Sequence, residues 1–150
     1  MRSTKCFALS TTLVCFVASK PENVYRRSVH KYLPSSVYHE KIKAELSAGT
    51  PDDYYEGSKG ILWAEWKYLK KLPVRYFTPA LSKLQARWLR RAYENGVQVR
   101  VIVGTPQGAI LLETPGEWEN RVYINDYTPA TRKEVAEYIT QGVTHACICL

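Results

Sequence analysis

The sequence predicts an α/β fold, a mixed central β-sheet flanked by helices, and three stretches predict it. Val97, Val99, Val101 and Val103 alternate with Gln98 and Arg100, the period-two pattern of a strand with one buried face. Asp53–Glu56 and Ile61–Lys67 read as two strands joined by Gly57-Ser58-Lys59-Gly60, and an even-length turn flanked by glycines signals a hairpin. Leu81, Leu84, Trp88, Leu89, Ala92 and Tyr93 recur at helical spacing and form one apolar stripe.

The remaining elements follow in order. A helix is expected near residues 22–33 and a strand near 36–43, ahead of the hairpin at 53–67. The striped helix runs over about 79–95, and Asn95-Gly96 closes it with a left-handed cap. Strands Val97–Val103 and Ala109–Glu113 flank Gly104-Thr105-Pro106-Gln107-Gly108. Thr128-Pro129 or Thr131-x-x-Glu134 starts a last helix, which Gly142 is expected to stop after Gln141. Trp118, Tyr123 and Tyr127 occupy a connector without an assigned element.

With 150 residues and 45% hydrophobic content, the chain suggests one domain, and it carries no repeat or low-complexity tract. We divide it into an extension at 1–20, a core at 21–114, and a connector with a helix at 115–150 packed on the same domain. Arg2 and Lys5 before Cys6-Phe7-Ala8-Leu9, then Leu13–Ser19, have some features of a secretory leader. Ser10, Thr11 and Thr12 interrupt that run, which is also too short to span a membrane. Four cysteines at 6, 15, 147 and 149 match no zinc spacing, and Cys147 and Cys149 are too close for an ordinary structural disulfide. The expectation is an added N-terminal element, reduced thiols and an intracellular protein, with secretion as the alternative.

The hairpin register has chemical consequences. If Gly57 pairs with Gly60, the pairs step outward through Glu56–Ile61 and Tyr54–Trp63 to Asp52–Glu65. Opposed residues have Cβ atoms roughly 4.5–5.5 Å apart, and Lys67 shares the face of Glu65. Two carboxylates and an ammonium thus gather in one place. Magnesium takes oxygen ligands, commonly one or two protein carboxylates with water and substrate phosphate. Such an ion activates water and neutralises charge on an attacked phosphate, while a nearby ammonium orients the water. The plain alternative is that Asp52 belongs to a turn after Pro51 and that Glu65–Lys67 is an exposed polar edge.

Gln85 falls inside the apolar stripe, an odd place for an amide without a partner. One reading is a capping box, with Ser82 as N-cap and Gln85 three positions later. Another is support of the carboxylate site, and the two are compatible. The other face of that helix carries Lys83, Arg87, Arg90 and Arg91.

The net charge of +7 is unevenly spread. Residues 59–100 hold Lys59, Lys67, Lys70, Lys71, Arg75, Lys83, Arg87, Arg90, Arg91 and Arg100 against Glu65 and Glu94 alone. After Glu113 the balance reverses. A basic patch of this kind is what binding a nucleic-acid backbone requires, although a solvated helix face is the plain alternative. Lys70, Lys71 and Arg75, with Leu72, Pro73, Tyr76 and Phe77, form a loop expected to face DNA.

Gly49-Thr50-Pro51-Asp52, Trp63-Ala64-Glu65-Trp66-Lys67, Leu81-Ser82-Lys83-Leu84-Gln85, Trp88-Leu89 and Gly96-Val97 together resemble the PD-(D/E)XK nuclease superfamily. Within it they look like the virus-type replication-repair (VRR-NUC) branch, over roughly residues 22–113. The resemblance implies a restriction-endonuclease-like core in which Asp52 and Glu65 ligate Mg²⁺, with Mn²⁺ able to substitute. It implies that Lys67 assists the attacking water, that Gln85 supports the site, and that an upstream helical glutamate lies nearby. Glu22 is the choice for that glutamate, with Glu40 and Glu45 also preceding the motif. Asp53 stands where the family often has an apolar residue, so it either adds charge or faces solvent. His30 could reach the site from the first helix, with a surface histidine as the default.

The implied activity is a metal-dependent DNA endonuclease acting on branched or duplex DNA. A core this small offers little surface for reading sequence, which favours recognition of DNA shape. Stand-alone members resemble Holliday junction resolvases and act as homodimers, and the resemblance suggests a viral origin and the host cytoplasm. Two alternatives are a DNA-binding protein that keeps the fold without cleavage, and a secreted or interaction protein in which the motif is accidental.

Overall fold

The glycine turn sets the hairpin register. Strands β2 (Asp53–Gly57) and β3 (Gly60–Tyr68) run antiparallel. Gly57 lies opposite Gly60, Glu56 opposite Ile61, Tyr54 opposite Trp63 and Asp53 opposite Ala64. The structure is a computed structural model that describes residues 18–43 and 48–145. The leader-like segment up to Val17, the four cysteines and Glu45 lie outside the described residues.

Around the hairpin, β1 (Tyr38–Lys41) pairs antiparallel with β2. On the other side β5 (Val99–Thr105) runs parallel to β3, and β6 (Gly108–Leu112) returns antiparallel to β5. The sheet order is β1-β2-β3-β5-β6. A parallel pair needs a long crossover, and helix α2 (Lys83–Glu94) supplies it between β3 and β5.

Side-chain alternation divides the core into two layers. On one face, α1 (Pro21–His30) and α4 (Arg132–Thr144) bring Tyr25, Val29, Val135, Ile139 and Val143 against Tyr55, Leu62, Ala64, Trp66 and Ile102. On the other, α2 and the short α3 (Pro115–Trp118) bring Leu89, Ala92 and Trp118 against Val99, Val101, Val103, Ile110 and Leu112. The connector forms β7 (Val122–Tyr123), paired with β4 (Tyr76–Phe77), followed by a 3₁₀ turn at Ile124–Asp126. No described helix is long and apolar enough to cross a membrane.

Several elements differ from expectation for identifiable reasons. Helix α4 starts from the Thr131–Glu134 capping box as expected, but it runs through Gly142 to Thr144. Gly142 serves close packing rather than termination, since a Cβ there would lie 2.9 Å from Leu62 Cδ1. The stripe on α2 is narrower than its spacing suggests: Leu84 is 48% and Tyr93 41% exposed. Leu84 and Tyr93 are the two edges of the stripe, and Leu89 and Ala92 between them are the buried residues of α2. Helix α1 ends at His30, and β5 begins at Val99, leaving Val97 exposed.

His30 belongs to the α1–α4 layer. Its Nε2 lies 2.7 Å from the Tyr55 hydroxyl, and its ring centroid is 4.3 Å from that of His39. Burial first, then the positive charges of His39 and Arg26, push its pKa down from 6.5 to about 3. The folded chain therefore refuses a proton that the unfolded chain accepts below 6.5, and stability drains away as pH falls from 6.5 toward 3. We expect the stability gap between wild type and His30→Gln to shrink between pH 7 and pH 4.5 in denaturant melts. A constant gap across that range would mean that His30 does not carry the linkage.

Candidate active site

Glu65 and Lys67 lie on the α2 side of β3, beside Val101 and Val103 of β5. Glu65 is 1% exposed. Its Oε1 receives two donors, Lys67 Nζ at 2.8 Å and Gln85 Nε2 at 2.5 Å. Gln85 Oε1 in turn accepts from Lys67 Nζ at 3.3 Å and from the Ser82 amide at 3.0 Å. The Gln85 amide donates back to Ser82 Oγ at 3.1 Å, completing the capping box. Gln85 thus closes the capping box and also donates to Glu65, because the start of α2 sits over that side chain.

Asp52 immediately precedes the Asp53–Ala64 pair, which brings it beside the Glu65 strand. Its Oδ2 accepts from the Trp66 amide at 3.0 Å. The preceding loop reaches this position because Gly49 has φ +85°, and a Cβ there would lie 2.5 Å from the Leu84 carbonyl oxygen. Glycine lets the Gly-x-Pro-Asp segment lie on the first turn of α2.

The electrostatics are those of a carboxylate held out of water. Burial first, and the charge of Asp52 second, push the Glu65 pKa up from 4.5 to about 7, against the pull of Lys67. Glu65 Oε2 is buried and has no hydrogen-bond partner. An ionised oxygen in that state is costly unless something positive faces it. A hard divalent cation fits this donor set of two adjacent carboxylates, with water and phosphate completing the shell. Among the described residues no three His, Cys, Asp or Glu side chains gather to hold a metal, so the described residues offer the pair Asp52 and Glu65.

The other expected residues divide. Glu22 lies in the first turn of α1, one turn before Arg26, and makes no three-carboxylate cluster with Asp52 and Glu65. Glu40 is on exposed β1, its carboxylate bonded to the Tyr38 hydroxyl at 3.2 Å. His30 packs in the opposite layer, against Tyr55 and Trp66, away from Glu65. Lys70, Lys71, Arg75, Lys83 and Arg87 are exposed. Arg91 caps the Trp88 ring with its guanidinium 5.5 Å from the centroid. Arg90 is half-exposed and ion-paired. It is tied to Glu119 at 2.8 and 2.5 Å and to Glu94 at 3.4 Å, so it braces α2 against the end of α3.

Asp53 neither faces solvent nor joins the carboxylate site. It points into the α1 layer, fully buried, where Arg26 Nη1 donates to both its oxygens at 3.1 and 3.2 Å. Burial pushes its pKa up to about 6, and Arg26 opposes the rise. Sequence reasoning missed Arg26. Its position one turn after Glu22 in an amphipathic helix gave no sign that the charge turns inward.

No family model matches the chain, and no curated protein sequence matches it. Its structure is similar to that of Hjc from Archaeoglobus fulgidus, described as a Holliday junction resolvase from an archaeal hyperthermophile. The TM-score is 0.52 at 16% identity, covering 78% of this chain and 98% of that one. At that identity the likeness is one of fold, and the chain has the mixed α/β, restriction-endonuclease-like architecture.

Proposed function

We propose that this chain is a metal-dependent DNA endonuclease of the VRR-NUC kind, selective for branched DNA and acting as a homodimer. The observation that carries the reading is Glu65: a buried carboxylate with one oxygen unpartnered, beside Asp52 and clamped by Lys67 and Gln85. A purely structural site would satisfy that oxygen or replace the charge.

Asp52 and Glu65 would hold the Mg²⁺. When bound, the ion lowers the pKa of a coordinated water and neutralises charge on the attacked phosphate. The remaining work belongs to the side chains. Lys67 has three N–H donors, and two are fixed by Glu65 Oε1 and Gln85 Oε1. The third orients the attacking water or a phosphate oxygen. Gln85 keeps the ammonium from swinging out, because Ser82 and the first turn of α2 anchor its own amide. Lys83 and Arg87 on α2, with Lys70, Lys71 and Arg75, would contact the backbone phosphates, giving a steep salt dependence. In a two-fold dimer the two sites would nick symmetric strands of a junction. The fold shared with a protein described as a Holliday junction resolvase supports this choice of substrate.

The test uses labelled four-way junction and linear duplex of matched sequence, with Mg²⁺ or EDTA, beside Asp52→Asn. We expect metal-dependent cutting, faster and paired on the junction, and reduced roughly 10²-fold or more in the variant. Tight binding without cutting in Mg²⁺ or Mn²⁺ would leave a non-catalytic DNA binder. Neither binding nor cutting would sink the DNA reading altogether.

A further inference from the structure

Residues 69–82 leave β3 just after Lys67 and return at Ser82, whose amide binds the same Gln85 oxygen that Lys67 reaches. Both ends of this excursion are therefore tied to the carboxylate site. Its outer part is stiffened by the β4–β7 ribbon, in which Tyr76 lies opposite Tyr123 and Phe77 opposite Val122. Phe77 and Val122 turn inward and are buried, and the Ile124 amide donates to the Arg75 carbonyl at 2.7 Å. The two residues facing outward are both tyrosines, 47% and 45% exposed, and Val74 beside them is 86% exposed. A soluble surface has no folding reason to collect two half-bare rings and a bare valine on one stiff ribbon.

Charge says what they meet. The Arg121 guanidinium lies over the Tyr76 ring at 4.2 Å from its centroid. Lys70, Lys71 and Arg75 are exposed on the same excursion. The connector that carries β7 holds Glu117, bonded to the Thr114 amide and the Tyr127 hydroxyl, Glu119, paired with Arg90, and Asp126. Half-exposed tyrosine rings set among arginine and lysine, one of them already stacked with a guanidinium, are the chemistry that stacks on nucleobases while tracking phosphates. In an intact duplex the base faces are covered by their neighbours. At a branch point they can be unstacked, and an apolar side chain can wedge into the gap.

We infer that the β4–β7 ribbon is a base-stacking subsite, in which Tyr76 and Tyr123 receive unstacked bases of a DNA branch point beside the cleavage site. The inference rests on the nuclease reading and names the feature of the substrate that the enzyme selects. The ribbon contributes affinity for branched DNA and little for linear duplex, whose phosphates the cations hold without it.

The experiment measures binding of the full chain by anisotropy, with Ca²⁺ replacing Mg²⁺, to a four-way junction and to matched duplex. The junction carries 2-aminopurine at the crossover. Tyr76→Ala/Tyr123→Ala is expected to lose about tenfold in junction affinity, to leave duplex affinity unchanged, and to lose the 2-aminopurine signal change. Tyr76→Phe/Tyr123→Phe keeps the rings and is expected to match wild type, which separates stacking from damage to the ribbon. Equal loss on both DNAs, no loss on either, or failure of the phenylalanine pair to rescue would overturn the subsite. If those results came with normal metal-dependent cutting by wild type, only the ribbon inference would fall. If wild type bound no DNA, the nuclease reading would fall with it.

Discussion

Glu65→Gln is expected to end cleavage and at the same time to make the metal-free chain more stable at pH 8. The rise of the Glu65 pKa from 4.5 to about 7 corresponds to roughly 3 kcal/mol held against the ionised form. The folded chain keeps a proton that the unfolded chain releases above 4.5. Stability therefore declines as pH climbs from 4.5 through 7 and levels off above it. Glutamine removes that slope, keeps an acceptor for Lys67 and Gln85, and leaves the shape of the site. In EDTA the two proteins should melt together at pH 4, and the variant should melt several degrees higher at pH 8. Mg²⁺ should raise the melting temperature of wild type by mass action and leave the variant unmoved. A variant that melts lower at pH 8 would make Glu65 a structural acid, and one that still cuts would remove it from the mechanism.

The arrangement around Glu65 was legible before the structure. Its visibility comes from the short range of the forces that build it. The Gly57–Gly60 turn fixes the pairing of its own flanks, so Asp52, Glu65 and Lys67 follow from counting outward. Gln85 was legible for a similar reason, since a capping box involves residues three apart. What could not be read depends on how distant elements meet. Gly142 resembles a stop signal until α4 is seen lying on Leu62. Tyr76 and Tyr123 stand 47 positions apart in a ribbon of two-residue strands, too short to leave a period in the sequence. Leu84 and Tyr93 stand at the two edges of the stripe on α2, with Ala92 and Leu89 between them, and how far burial extends toward those edges depends on what the helix meets.

Arg26 and Asp53 show the same limit with the largest consequence for stability. The pair joins α1 to β2 across 27 residues, is 8% and 0% exposed, and adjoins Asp52 through one peptide bond. Arg26→Met should destabilise the fold by about 3–5 kcal/mol, because it strands a carboxylate in an apolar layer beside Tyr55. Asp53→Leu alone should also be costly, since it leaves the guanidinium buried, with its Nε already lacking a partner. The double variant Arg26→Met/Asp53→Leu removes both charges and restores the apolar character of the layer. It is expected to recover wild-type stability or to exceed it by about 1–4 kcal/mol, so denaturant melts of the four proteins should give a large coupling between the sites. The pair then earns its place through geometry: it fixes the strand that carries Asp52 against α1. Cleavage by the double variant decides the matter. If it is as stable as wild type but cuts poorly at saturating DNA, the buried pair positions Asp52. If it is stable and fully active, the pair is a packing solution that two apolar side chains serve as well.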